Sequence, residues 1–454
     1  MMKINQSAAS VKVSIREKSA FTFGIFSQNI VFAFVSAYIM IFFTDYVGIS
    51  PAAVGTLMLV ARLFDAINDP LMGVITEKTR TRWGKFRPYL FIVALPLLIC
   101  LVLLFTNIDS TATNKLLWAY LTYILFGMIY TVSDIPLWSL TSVMTRSQDE
   151  RMSIISLGKS IVPVSFVLVT VITIPLISFF GGGEAAYRNV AMIYGSLMAI
   201  GMVLTAMNTK ERVEHQKETL PIKDILAFLK DNTLLRKILS CQVLIFVIDN
   251  LVTAAVIYYA TYNLKDVNMA PILSLAIIVP MILGILISAK VAKKHDKKKI
   301  LLISLLFRVI GYVALFFIGY DDTTLLIISL FIVAFTFGVP EILLPSMMLE
   351  TIDYMEVKTG NRAEGIVWST QTFIVKVAAS LAGFALGHLL TFIEFVPNTE
   401  QTAETLSKLH AILFLAPAVL TALSIIPMLS YSLTKEKYQE ITQALTLRKA
   451  NIAK

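Results

Sequence analysis

Charge is scarce in this sequence. Asp, Glu, Lys and Arg make up 15% of the 454 residues, hydrophobic residues make up 57%, and the mean hydropathy is +0.76. Soluble domains run near ~25% charged and ~45–50% apolar, so a soluble globule could not hide this much apolar surface. Cysteine is nearly missing: Cys100 and Cys241 both sit inside apolar runs. With no Cys/His grouping at metal spacing and no disulfide framework, they read as buried small residues. The signatures HExxH and GxSxG are lacking, and no catalytic pair of aspartates on separate helices stands out, which argues against an enzyme and against a bound cofactor. The stretch Met1–Phe21 carries Lys3, Lys12, Arg16 and Lys18 but no apolar core ending in a small-residue cleavage site. It is not expected to be a cleaved signal peptide, so the first apolar run does its own targeting.

What the chain has instead is a series of long apolar runs. A bilayer span needs ~20 apolar residues. On that measure the sequence predicts helices near 21–46, 51–76, 88–106, 116–144, 153–180 and 187–207, then near 234–263, 270–292, 299–319, 323–350, 364–392 and 406–433. The expected fold is therefore an all-α membrane protein of twelve transmembrane helices in two six-helix halves, 1–207 and 234–433. A polar linker, 208–233, joins the halves, and a tail, 434–454, follows them. Within the linker, Ile222–Leu229 is amphipathic enough to lie along a membrane surface.

The basic residues predict orientation, because Lys and Arg near span ends are retained on the cytoplasmic side. They crowd into Lys78–Arg87, Lys210–Lys237, Lys290–Lys299 and the two terminal segments, whereas the alternate loops hold only Lys115, Arg188, Lys265 and Lys408. Both termini are expected in the cytoplasm, in a multi-pass protein of the cell (inner) membrane. The net charge of +9 is then a topology signal, and no nucleic-acid partner is needed to explain it.

A charge within the hydrocarbon region costs at least ~2.5–3.5 kcal/mol on insertion scales, so each one needs a partner, a wet cavity or a function. On the second span, Asp65, Asn68 and Asp69 stand at i, i+3 and i+4 and share one helix face. Two carboxylates and an amide oxygen suit a monovalent cation, since hard cations take oxygen ligands and adjacent carboxylates repel unless positive charge separates them. Protonation of one aspartate would relieve the same repulsion. Na+ at Asp65 and Asp69 and a proton there both remain open, with Asn68 and Thr131 favouring the metal ion because neutral oxygens help it more. Arg62 could instead pair with these aspartates and simply stitch helices together.

The fourth span carries Tyr130, Thr131, Asp134 and Trp138. Asp134 and Trp138, four apart, put an acid and an aromatic plate on one face, a pairing that binds sugars through hydroxyl hydrogen bonds and contact with the C–H side of the ring. Trp138 alone would suit ordinary helix packing. Lys159 on the fifth span and Lys376 on the eleventh, which also bears Trp368 and Thr372, offer positive partners to the aspartates or to an anionic substrate. Arg308, Asp249, Asn250 and Glu341 are further polar residues at membrane depth. Pro136, Pro163 and Pro340 can break helices beside a cavity or be tolerated kinks.

The segments FFTDYVG ending at Gly48, VGTLMLVARLFDAINDPLMG over Val54–Gly73, TRTRWGKFRP over Thr79–Pro88 and YTVSDIPLWSL over Tyr130–Leu140 closely resemble the glycoside-pentoside-hexuronide:cation symporter family, the melibiose permease-like branch of the major facilitator fold. The likeness continues at IDYME (Ile352–Glu356) and QTFIVK (Gln371–Lys376), and so covers nearly the whole chain. The resemblance implies a cation site at Asp65, Asn68, Asp69 and Thr131. It implies a sugar site that includes Asp134 and Trp138, but with Asn29 where the family has an aspartate and Lys159 where it has an arginine. Losing an acid while keeping a cation makes the pocket more positive, which opens it to a carboxylate, a sulfonate or a different glycoside. The same resemblance implies gating ion pairs among Arg80, Arg82, Lys85, Arg87, Arg151, Asp353, Glu356 and Arg362, although these residues also serve as plain topology signals.

The expected function is thus alternating-access symport of a sugar or glycoside, including a pentoside or hexuronide, with sodium or a proton, by a monomer in the bilayer. A facilitator or exchanger of the same fold without obligatory cation coupling is the alternative. A transport-inactive sugar sensor is a third reading, disfavoured because no soluble signalling domain is visible.

Overall fold

The computed structural model describes residues 13–145, 147–212, 228, 230–359 and 364–452. Among them the regular structure is helical, with one isolated bridge, Thr81 to Gly84, in a turn. This is what a bilayer demands, because a helix satisfies its backbone hydrogen bonds within its own segment.

The chain clusters into two compact units, Met1–Lys217 and Glu218–Lys454. The first holds α1 (Ile15–Ile41), α2 (Pro51–Lys78), α3 (Arg87–Leu104), α4 (Ala112–Met144), α5 (Gln148–Phe179) and α6 (Gly183–Asn208). The second holds α7 (Thr233–Tyr258), α8 (Met269–Val291), α9 (Lys297–Ile318), α10 (Thr323–Ala334), α11 (Gly338–Thr359), α12 (Glu364–Phe392), α13 (Ala403–Leu429) and α14 (Lys435–Ile452). Most of the linker, including most of Ile222–Leu229, lies outside the described residues.

Helix starts follow local chemistry. A capping box at Ser14 and Glu17 begins α1 six residues before the apolar run at 21, because two orphan backbone donors are satisfied reciprocally there. Pro51 opens α2, where its missing N–H costs nothing. Side chains of Thr111, Ser147, Asp296 and Thr402 cap α4, α5, α9 and α13. Between α5 and α6 the chain turns through Gly181, Gly182 and Gly183, all with φ between 71° and 86°, a region that residues with a Cβ rarely enter.

Among the described residues, eleven stretches are long and apolar enough to cross a membrane. The helix α2 has the length, 28 residues, but its Arg62, Asp65 and Asp69 keep it from being uniformly apolar. The expected tenth span is also interrupted. A 3-10 turn, Phe335–Phe337, separates α10 from α11, so the break falls just ahead of Pro340 rather than at it. There Gly284 of α8 and Gly338 meet the opposite backbone so closely that neither has room for a Cβ.

The two units repeat one packing scheme. In the first, α1 packs on α5 and α6, α3 on α4 and α6, and α2 on α4; in the second, α7 packs on α12 and α13, α9 on α10 and α13, and α8 on α10 and α11. Both α1 and α7 end in a π-turn, Phe42–Tyr46 and Tyr259–Asn263. Internal repeats of this kind are a hallmark of secondary transporters.

Candidate functional site

The packing of α2 on α4 brings the polar residues of the first unit together. Asp65 is buried, and Asn68 and Asp69 are half-buried beside it. The Thr131 hydroxyl on α4 donates to Asp69 Oδ1 at 2.9 Å, so the fourth helix delivers an oxygen to the acids of the second. Arg62 Nη1 donates to Asp65 Oδ2, also at 2.9 Å, and lies beside Tyr123 and Tyr130. The Asn68 Nδ2 atom is buried with no hydrogen-bond partner among the described residues. A buried amide nitrogen with no acceptor among the described residues is a costly arrangement unless a ligand or water uses it.

One residue that builds this site was not singled out from the sequence. Gly127 lies on α4 opposite Asp65, and a Cβ there would stand 3.1 Å from Oδ1. A second is Gln28, fully buried on α1, which donates through Nε2 to Ser133 Oγ at 2.8 Å and ties α1 to α4. Asn29, its neighbour, turns its amide back onto its own helix and donates to the Ile25 carbonyl at 2.8 Å.

One turn beyond Thr131, Asp134 and Trp138 are half-buried on α4. Lys159 Nζ stands 4.9 Å from the centroid of the Trp138 ring, and Phe21 meets that ring edge-on. Gly158, next to Lys159, leaves room for both rings, since a Cβ there would lie 3.2 Å from Phe21 and 3.4 Å from Trp138. Tyr130 packs between Phe32 and Phe126. The first unit therefore carries a carboxylate-rich patch between α2 and α4 and an aromatic, cationic patch between α4 and α5, further along α4.

The remaining expected residues lie elsewhere. Trp368, Thr372 and Lys376 share α12 in the second unit; the side chains of the first two are outside the described residues, and Lys376 is half-buried. Arg362 is outside the described residues altogether. Arg151 donates through Nη2 to the Ser142 and Thr145 carbonyls at 3.3 and 3.5 Å and so caps the end of α4. In the loop after α2, Glu211 accepts backbone hydrogen bonds from Lys85, Phe86 and Arg87 at 2.7, 2.9 and 3.0 Å. Arg87 Nε donates to the Ala206 carbonyl at 2.7 Å. At the end of α11 the Asp353 carboxylate accepts from Tyr438 of α14 at 2.7 Å, and Glu356 is half-buried one turn on.

Two repeated helical units with charged residues at membrane depth define a membrane transporter of the major facilitator type. The solved structure of the nucleoside transporter NupG superposes with a TM-score of 0.65 at 14% identity, covering 92% of this chain and all of that one. The family model described as MFS/sugar transport protein matches residues 20–435. The chain belongs to that family, in the glycoside-pentoside-hexuronide:cation symporter branch that its motifs resemble. It is 32% identical to YnaJ of Bacillus subtilis, named as an uncharacterized symporter, over 96% of both chains. It is 31% identical to the isoprimeverose transporter of Lactiplantibacillus pentosus over 92% of this chain and 89% of that protein. It is 27% identical to YagG of Escherichia coli, named a putative glycoside/cation symporter, over 97% and 96%. The chain is thus a multi-pass membrane transporter of the sugar and glycoside class, not an enzyme.

Proposed function

We propose that this protein is a symporter that couples a monovalent cation, sodium or a proton, to a glycoside. The cation is held by Asp65, Asn68, Asp69 and Thr131, and the glycoside by Asp134 and Trp138 with Tyr130, Asn29 and Lys159 around them. Trp368, Thr372 and Lys376, on α12, are proposed as further substrate-binding residues. The observation that carries the reading is the hydrogen bond from Thr131 to Asp69. It ties the cation ligands of α2 to the helix that bears Asp134 and Trp138 one and two turns further on. A cation that draws Thr131 and Asp69 together organises the sugar-binding face of α4, and a bound sugar favours the cation in return, since coupling free energy is reciprocal.

The cargo follows from the same side chains and from the names of relatives. An isoprimeverose transporter and a putative glycoside/cation symporter support a glycoside, and the Lys159 ammonium near the Trp138 ring supports a substrate that includes an acidic sugar. The basic loops support an orientation with both termini in the cytoplasm, and the protein is proposed to work as a monomer in the cell membrane. Arg62, Arg151, Asp353, Glu356 and Arg362 are proposed to serve the gate.

The ion pair between Arg62 and Asp65 favours one alternative, a facilitator or exchanger in which the acids serve only helix pairing. Uptake of labelled xylosides, galactosides, glucosides and hexuronides into proteoliposomes, with sodium and proton gradients imposed separately, decides between them. Accumulation driven by one gradient and abolished in Asp69→Asn is expected. Flux that only equilibrates under both gradients moves the protein to the facilitator reading.

A further inference from the structure

A second charged cluster, built on a buried arginine, lies wholly within the second unit. Arg308, near the middle of α9, has no exposed surface. Its Nη2 pairs with Asp249 Oδ1 of α7, and its guanidinium lies 4.0 Å from the centroid of Phe337. Phe337 ends the 3-10 turn before α11, so the residue one helical turn on, Glu341, faces the same way. Glu341 lies close enough to Asp249 and Arg308 to feel both charges. Three ionisable groups from three helices, each near the middle of its span, therefore lie within electrostatic reach of one another at membrane depth.

Counting charge is decisive here. Asp249 and Arg308 cancel. An ionised Glu341, half-buried beside a half-buried Asp249, would leave one net negative charge at membrane depth, where an unbalanced charge costs more than in water. The donors for an acid group are present as well. Nε and Nη1 of Arg308 and the Tyr312 hydroxyl, all buried, meet no acceptor at hydrogen-bonding geometry among the described residues, although that hydroxyl lies beside the guanidinium. Those unpartnered groups are where a carboxyl that loses its proton finds replacement bonds.

The elements around Glu341 offer no other balance. Lys290, in the last turn of α8, is the sole ionisable residue of that helix, and α10 has none. Among the described residues no charged side chain of α12 acts on Glu341, and α14 meets α11 at its opposite end, at Asp353. Cys241, buried on α7, is the remaining titratable neighbour of Arg308.

We propose that Asp249, Arg308, Tyr312 and Glu341 form a proton-binding site in the second unit, with the proton carried as the carboxylic acid of Glu341. Taking up the proton converts the Glu341 carboxylate to the acid and the cluster from one net negative charge to none. Releasing it lets Glu341 compete with Asp249 for the guanidinium. This gives the transporter a proton-sensitive element separate from the Asp65 and Asp69 cation site, and it does not rest on the assignment of that site.

Infrared titration of the full-length protein in lipid nanodiscs tests it, because the C=O stretch of a protonated carboxyl is resolved from those of carboxylates. Glu341→Gln is expected to abolish one titrating carboxyl band. Asp249→Asn is expected to abolish it too, since Glu341 then ionises against Arg308. Glu341→Asp retains a band, and Asp65→Asn and Asp69→Asn leave this one in place. If Glu341→Gln does not fold, Asp249→Asn alone decides. A band that survives either Glu341→Gln or Asp249→Asn overturns the proposal.

Discussion

Gly127 on α4 lies so close to Asp65 on α2 that a Cβ would stand 3.1 Å from the carboxylate Oδ1. That separation is tighter than an ordinary contact, so Gly127→Ala must displace the carboxylate by a few tenths of an ångström while leaving every donor in place. If Asp65 is a cation ligand, a misplaced oxygen costs on the order of ~1 kcal/mol, which is about five-fold in the half-saturating cation concentration for uptake. Insertion and helicity should not change. An unaltered cation dependence would remove Asp65 from the ligand set.

Thr131 and Asp69 allow a sharper test. Hydrogen bonds to charged groups contribute ~1.5–3 kcal/mol, so Thr131→Ala should weaken cation-driven uptake by roughly ten- to a hundred-fold if the bond also positions the ligand oxygens. Thr131→Ser keeps the hydroxyl and should stay within a few-fold of the parent. Equal losses in both variants would mean that the methyl group and helix packing matter rather than the oxygen.

The face bearing Asp65, Asn68 and Asp69 was legible from the sequence because i, i+3 and i+4 spacing fixes which side chains share one side of a helix. Thr131 could be offered from the sequence as a neutral oxygen for the cation, and the family resemblance matched it, but its bond to Asp69 could not be read, since no spacing relates residues 62 positions apart. Gly127 and Gln28 were missed for a related reason. A glycine marks a close approach by having no side chain, and a buried glutamine in an apolar run looks like an isolated polar residue until its partner on another helix is known. Span positions were readable to within several residues because apolar runs are long. Their ends shifted where local capping, as at Ser14, extends a helix into polar sequence. Asp249, Arg308 and Glu341 each stood out as expensive at membrane depth, but the sequence could not say that Arg308 pairs with Asp249 or that Glu341 lies within reach of both charges.

Lys159 and Trp138 separate two kinds of contribution. A cation over a ring is worth ~0.5–1 kcal/mol at exposed sites, and Lys159 is exposed. If that stacking is its whole role, Lys159→Ala lowers uptake of every glycoside by only about two- to five-fold. If the ammonium also meets an acidic sugar, uptake of a hexuronide falls much further than uptake of the matching neutral sugar, and Lys159→Arg restores it. A uniform small loss across the panel would exclude an anionic cargo for this lysine.

Glu211 accepts three backbone hydrogen bonds from the loop that follows α2, and Gly84 in that loop has φ 109° with the Glu211 carboxylate where a Cβ would go. Glu211→Ala leaves three N–H groups to find water or go unpaired. Charge-assisted bonds of this kind are worth ~1.5–3 kcal/mol each when made, but the half-buried loop can recover part of that from solvent. A fall in the thermal unfolding midpoint of the detergent-solubilised protein is expected, with the choice of coupling cation unchanged. A changed cation preference would show that this loop communicates with the site on α2.

Tyr438 joins α14 to the end of α11 by donating to Asp353 at 2.7 Å. Burial, and then the hydrogen bond to that carboxylate, push its phenol up to about 12, against an ordinary value of ~10. The docked helix therefore favours the neutral phenol. Below about pH 10 both docked and released forms are neutral and the contact is fully present; between about 10 and about 12 the released form ionises first, so docking weakens as pH rises. Near neutrality the contact is insensitive to pH and has to be broken by substitution. Tyr438→Phe removes the donor while keeping the ring, and losing a bond to a carboxylate should release the helix by roughly ten-fold, measured as faster tryptic cleavage in Lys435–Ile452. Asp353→Asn should speed cleavage less, because an amide oxygen still accepts. Cleavage at the parent rate in both variants would show that apolar packing, not this hydrogen bond, holds the helix in place.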